Sequence, residues 1–244
     1  MFTTTRAYRA LLDRLPGKAA AKIDLHSPSL SSSWGGPLNG QQARCAIVRE
    51  ISRLVVFDRV VETGTFRGTS TEFFSAVFGT PVETVEASPR YFAYSRARLD
   101  YLSNVRVTKG DSRSFLRSLS ETPDLSGETT FFYLDAHWEK DLPLKDELSL
   151  IGARWHKAIV MIDDFKVPGD SGYGFDDYGY GMALSEDYIP ASALSGWELR
   201  FPKGRSAQET GAKRGCAVLI SPLLISQLKI ALTLKPGRLL AAPL

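Results

Sequence analysis

Along the chain, short β-branched or aromatic apolar runs alternate with stretches whose apolar residues recur at helical spacing. The runs are Val60-Val61, then residues 82–86, 105–108, 130–134 and 158–162. Between them lie Phe73, Phe74, Val77 and Phe78; Tyr91, Tyr94 and Leu99 behind Pro89; residues 112–119; and Leu144, Leu148 and Ile151 behind Pro143. Period-2 or wholly apolar runs predict strands, and the i, i+3, i+4 pattern predicts helices. Five strands separated by helices imply a parallel sheet covered on both faces, and right-handed crossovers make it doubly wound. Upstream, Tyr8, Leu11, Leu12 and Leu15 predict a helix ended by Pro16-Gly17. Residues 27–40, rich in Ser, Gly and Pro, predict a loop, and Ile47, Ile51 and Leu54 a helix over 41–55.

After Ile162 the rhythm breaks. Residues 166–181 are dense in Gly, Asp and Tyr and predict an exposed loop, followed by a helix over 183–192. Residues 197–201 and 215–220 predict an antiparallel hairpin at the sheet edge, joined through Gly204 and Gly211. The expected class is therefore α/β, a doubly wound, mostly parallel seven-stranded sheet with an antiparallel C-terminal hairpin. The apolar tail, 223–244, is a candidate to pack either on the sheet or on a second subunit.

Composition narrows the partners. At 244 residues the chain suits one α/β domain with additions at its ends. The net charge of +3 is spread without a Lys/Arg block, which argues against nucleic acid or a membrane surface as an obligatory partner. Cys45 and Cys216 are isolated, so no disulfide framework or metal-binding Cys pair is expected, and the setting is read as reducing and cytoplasmic. Neither a signal-peptide run nor a bilayer-spanning apolar stretch is visible.

The chemistry concentrates at strand ends. Residues 59–70 read Arg-Val-Val-Glu-Thr-Gly-Thr-Phe-Arg-Gly-Thr-Ser. This is a strand, a loop carrying Gly64 and Gly68, and the start of a helix whose free N–H groups and dipole face the loop. Such a strand–glycine loop–helix is a nucleotide site. By itself the signal is weak. Glu86 strengthens it, because an acid roughly 20 residues past such a loop holds ribose hydroxyls. Asp111 follows the third strand, where capping of the next helix is as good an explanation as function. Asp135 closes the fourth strand and Asp163-Asp164 the fifth. Three carboxylates on one rim repel, and a hard divalent cation with oxygen ligands, Mg²⁺ best of all, relieves that.

Glu62-Thr-Gly64-Thr-Phe66-Arg-Gly68-Thr-Ser70, then Glu86, then Asp135-Ala-His137-Trp138, then Asp163-Asp164, resembles the class I S-adenosylmethionine (SAM)-dependent methyltransferases. More narrowly it is similar to their metal-dependent O-methyltransferases of the catechol and macrocin type, over about residues 39–165. The resemblance implies that Glu62, Gly64, Thr65, Phe66, Gly68 and Ser70 hold SAM, with Gly64, Phe66 and Ser70 at its methionine end. It implies Glu86 on the ribose, Asp111 and Ser112 near the adenine, and His137 and Trp138 packed beside it. Asp135, Asp163 and Asp164 would bind the metal. Catechol enzymes have Asn in the last place; Asp164 is nearer the macrocin type. Catechol enzymes also carry a lysine base where this chain has Trp138, and Ala136 stands as an insertion before His-Trp.

The implied function is divalent-metal-dependent O-methylation of a small hydroxylated acceptor: a sugar, glycoside or phenol. Candidates for the base are His137, Lys140 and Lys166. His137 is preferred because it titrates in the useful range, against simple stacking on adenine; Lys140 reads more readily as a solvated charge at a helix entry. His26 and His156 have no visible partners. The aromatic and acidic loop through Tyr173, Phe175, Asp176, Asp177, Tyr178 and Tyr180 is expected to line the acceptor pocket, and residues 32–41 to close over the cofactor. One structural domain is expected: N-terminal helices and cofactor-covering loop in 1–57, catalytic core in 58–222, and an apolar extension in 223–244 that makes a homodimer a candidate. The rival readings are an NAD(P)-dependent Rossmann oxidoreductase, which lacks a use for three carboxylates on strands four and five, and a non-catalytic methyltransferase-like interaction domain.

Overall fold

A computed structural model of the chain describes residues 11–12, 14–27, 35–122, 125–137 and 141–241. Among them, eight strands form one sheet. In chain order the strands are β1 (Arg59–Thr63), β2 (Val82–Glu86), β3 (Val105–Lys109), β4 (Thr129–Leu134), β5 (Lys157–Asp163), β6 (Glu198–Arg200), β7 (Cys216–Ile220) and β8 (Arg238–Leu239). Their spatial order is β3-β2-β1-β4-β5-β7-β6-β8. The first five are parallel, and β7, β6 and β8 add antiparallel.

Strand alternation builds both faces. Val61, Phe132, Leu134, Val160, Ile162 and Leu219 pack on one side against helices α5 (Ser112–Ser120) and α6 (Leu144–Arg154). Their sequence neighbours Val60, Phe131, Tyr133, Ile159, Met161 and Val218 pack on the other against α2 (Gln42–Leu54) and α3 (Thr69–Phe78). A parallel sheet buried on both faces needs such continuous apolar runs. From β1 the chain winds outward to β2 and β3, then returns to β4 and β5. The β1/β4 boundary is therefore a topological switch point, where a crevice opens beyond the strands' carboxyl ends.

Three differences from the sequence reading have physical causes. Pro16 starts a helix instead of only ending one: α1 (Gly17–Leu25) begins behind it, its carbonyl accepting from Ala19 and Ala20. This helix docks on α4 (Pro89–Leu99) through the buried pair Asp24–Arg90, at 2.7 and 3.0 Å. Tyr8, of the predicted first helix, lies outside the described residues. The helix expected over 183–192 is absent; only a 3₁₀ turn, Glu186–Tyr188, forms. Pro190 has no N–H to give, and Leu184 spends both backbone groups on the preceding loop, with Asp176 and Lys166. The sheet has eight strands, not seven, because the tail returns as β8 on β6. The tail's Leu224, Leu228, Leu234 and Leu240 are buried in the chain's own core. Cys45 and Cys216 are both free and buried. No helix among the described residues is long and apolar enough to cross a membrane.

Candidate active site

The loop between β1 and α3 needs its glycine. Gly64 has φ +91°, and a Cβ there would collide with the carbonyl oxygen of Asp135. The N–H groups of Gly64 and Thr65 both donate to the Val85 carbonyl, at 3.1 Å. Phe66 is held in the left-handed region, φ 48°, and its N–H donates to Glu86 Oε2 at 2.7 Å. Glu86 Oε1 accepts from the Ser88 N–H at 2.8 Å. Burial pushes the Glu86 pKa up, against the pull of these backbone donors. The glycine loop and the end of β2 are thus one hydrogen-bonded unit, with strain retained at Phe66.

A cavity of about 530 Å³ opens on this unit. One end is bordered by Phe66, Glu86, Tyr91, Asp111, Ser112 and Asp141, with Phe66 and Tyr91 in ring contact at 4.5 Å. Asp111 has two contacts to account for. It borders the cavity, and it caps α5 by accepting from the N–H groups of Arg113 and Ser114 at 3.0 and 3.1 Å. The floor is Gly64, Thr65, Thr69 and Ser70. Ser70 Oγ accepts from the Leu38 N–H at 3.0 Å, and Gly36 and Asn39 border the cavity above it, so part of the expected covering segment is in place. Residues 32–34 lie outside the described residues.

The other end is acidic. Asp135, His137, Asp164, Asp176 and Arg214 converge there. Ligand atoms of Asp135, His137 and Asp164 lie within 4.8 Å of one another. His137 is 8% exposed, and its Nε2 has no hydrogen-bond partner among the described residues. That nitrogen lies 3.7 Å from Asp135 Oδ1, 3.5 Å from Asp164 Oδ2 and 3.6 Å from Asp176 Oδ2. Burial works against a charge on His137, but Asp164, Asp163 and Asp176 outweigh it and raise its pKa. Burial also opposes charge on Asp164, yet His137 and Arg214 bring its pKa down to about 2. Asp135 is raised, first by withdrawal from water and then by Asp163 and Asp164, although a third of its side chain still opens to the cavity.

Three expected residues sit elsewhere. Asp163 is fully buried and does not border the cavity. Alternation points it to the Met161 side of the sheet, where Arg44 binds it, Asn39 donates at 2.9 Å, and Tyr133 O–H and the Asp164 N–H also donate. His137 and Asp176 stand at the acidic end in its place. Glu62 is also withdrawn: its Oε2 accepts from Thr71 and Thr84, its Oε1 has no partner among the described residues, and burial raises its pKa to about 7. Gly68, φ +73°, caps α3 against Leu99 without bordering the cavity. Trp138 and Lys140 lie outside the described residues.

Of the acceptor-loop residues, Asp176 borders the cavity. Tyr173 is buried with its hydroxyl donating to the Gly204 carbonyl, Tyr178 donates to Asp176, and Tyr180 stands fully in solvent. Arg214 was not anticipated. Arg214 sits in a polar loop that reads as a plain connector, and its partners are 38 and 50 residues away in sequence.

No family model and no curated protein matches the chain. Solved structures do match in fold. Cofactor-bound Rv0187 from MTB is 18% identical over 91% of this chain and 99% of that one, with a TM-score of 0.52. The O-methyltransferase TomG from Streptomyces achromogenes, in complex with SAM, is 15% identical over 84% and 87%, TM-score 0.55. An MtNAS mutant in complex with S-adenosylmethionine is 14% identical over 88% and 74%, TM-score 0.51. Parallel strands wound outward from a glycine loop, an antiparallel finish, and these neighbours together establish that the chain shares their α/β fold, seen in TomG and MtNAS with SAM bound.

Proposed function

We propose that the chain is a SAM-dependent methyltransferase that methylates a hydroxyl of a small polar molecule, with a divalent cation held by Asp135, His137 and Asp164. The observation that carries this is one continuous cavity joining the glycine loop and Glu86 to the acid–histidine group. The residues fit the cofactor. Gly64 lets the loop lie against the Asp135 carbonyl at the cavity floor, α3 offers its N-terminus through Thr69 and Ser70, and Glu86 has both oxygens fixed by backbone donors. Glu86 would take the ribose hydroxyls, with Phe66, Tyr91, Asp111 and Ser112 along the adenosine.

The residues also fit a cation. His137 Nε2 is buried, unpartnered and aimed among carboxylates. A divalent cation bound there lowers the pKa of a hydroxyl it holds. The chain's own task is to align that oxygen with the methyl group and to keep water out. His137 fits the ligand role better than the base role, because its Nε2 faces three carboxylate oxygens at 3.5 to 3.7 Å, the surroundings of a shared cation. Among the described residues, the polar side chains of Asn39, Asp176 and Arg214 border the acidic end, which suits a sugar or other polyol.

The test is incubation with SAM and a panel of sugars, glycosides and catechols, with Mg²⁺ or with chelator. A mass gain of one methyl on a polyol, dependent on the cation, is expected. Chelator-insensitive methylation would remove the cation from the account, and transfer only to catechols would overturn the acceptor class.

A further inference from the structure

Resting on the cation site just proposed, we infer that it has a fourth protein ligand, Asp176, delivered by the loop that follows β5. Asp176 enters no motif and lies 12 residues past Asp164, yet its carboxylate faces the same His137 nitrogen. Its Oδ2 lies 3.6 Å from His137 Nε2, matching the 3.5 Å of Asp164 Oδ2 and the 3.7 Å of Asp135 Oδ1. That nitrogen is therefore faced by three carboxylate oxygens, one of them carried by the loop after β5 rather than by a strand end.

Arg214 makes this arrangement directional. Its Nε donates to Asp164 Oδ1 at 2.7 Å, and its Nη2 donates to Asp176 Oδ1. The guanidinium thus takes one oxygen from each acid and leaves both Oδ2 atoms toward His137. It acts as a positioning residue, as outer partners of metal ligands do. Tyr178 O–H adds a donor to Asp176 Oδ2 at 2.7 Å. The backbone holds the same register: the Asp176 N–H donates to the Asp164 carbonyl at 3.0 Å, and the Asp176 carbonyl accepts from Leu184 at 2.9 Å.

Charge agrees. Asp135, Asp163, Asp164 and Asp176 are four carboxylates, and Arg44 and Arg214 two guanidiniums; with the acids ionised and His137 neutral, the state in which they would hold a metal, two negative charges remain. That is the charge of one divalent cation. Asp163 cannot be the extra ligand, because four donors already occupy its oxygens. A cation at this point would tie the 166–181 loop to the two central strands, so cation binding and ordering of the acceptor side would be coupled.

Mn²⁺ titrated by calorimetry or electron paramagnetic resonance into the full chain tests this. Asp176→Asn is expected to weaken Mn²⁺ binding roughly tenfold or more, since even outer partners cost that much. Asp177→Asn, next to it but with a carboxylate that accepts from the Gly179 N–H in its own turn, should bind like wild type. Thermal melting confirms that each variant folds. Mn²⁺ should also slow chymotrypsin cleavage after the exposed Tyr180 in wild type and fail to do so in Asp176→Asn. If Asp176→Asn binds Mn²⁺ like wild type while Asp164→Asn does not, the fourth ligand is wrong and the cation site stands. If wild type binds no Mn²⁺, the cation site itself is wrong, whatever the protein does with SAM.

Discussion

Adjacent residues at a strand end carry opposite assignments here. Asp163 and Asp164 read from sequence as one metal-binding pair. The strand's period of two sends Asp163 with Ile159 and Met161 to the α2 face, while Asp164, at φ 51°, turns off the strand into the cavity. The pattern was in the sequence; what it could not give was Arg44, 119 residues away, waiting on that face. Glu62 gives the residue-scale prediction. Its pKa stands at about 7 in the fold against 4.5 otherwise. Between those values the folded chain keeps a proton that the unfolded chain has released, so stability falls as pH rises through the window. Glu62→Gln removes the effect. Its stability relative to wild type, from urea unfolding at a series of pH values, should grow by about 3 kcal/mol between pH 4.5 and 8. A difference that stays flat would mean Glu62 is ionised throughout.

At the scale of elements, the strands and the helices that cover them were legible because each carries its own period. Helix α1, the turn at Glu186–Tyr188 and β8 were not. Each is decided by contacts distant in sequence: Asp24 with Arg90, Leu184 with Asp176, and Arg238–Leu239 with β6. The glycine loop was read correctly as a strand-to-helix turn, and the structure adds why Gly64 is needed: the Asp135 carbonyl occupies the space of a side chain. Gly64→Ala should therefore push β1 and β4 apart at the cavity floor and weaken S-adenosylhomocysteine binding by roughly tenfold or more, about 1.4 kcal/mol. Gly79→Ala is the control. Gly79 also has positive φ, 66°, but open space around it, so it should lose about 1 kcal/mol of stability and no affinity. Equal losses of affinity in both variants would show that backbone strain, not the clash, governs the site.

For the whole molecule, the tail belongs to the fold. Leu224, Leu228 and Leu234 complete the layer over β7 and α2, and Leu240 joins the opposite layer. Each buried leucine is worth roughly 1.5–3 kcal/mol, so their sum rivals the stability of a typical domain. A chain ending after residue 222 should lack a cooperative thermal transition or precipitate; a sharp melt near that of the full chain would contradict this placement.

The cavity's adenosine end is the claim on which the rest stands, and calorimetric titration with S-adenosylhomocysteine addresses it most directly. Saturable binding of one equivalent per chain is predicted for wild type, with affinity lower by roughly tenfold or more in Glu86→Ala, and no binding of NAD. Absence of heat with S-adenosylhomocysteine, or a Glu86→Ala variant that binds it as wild type does, would contradict the account.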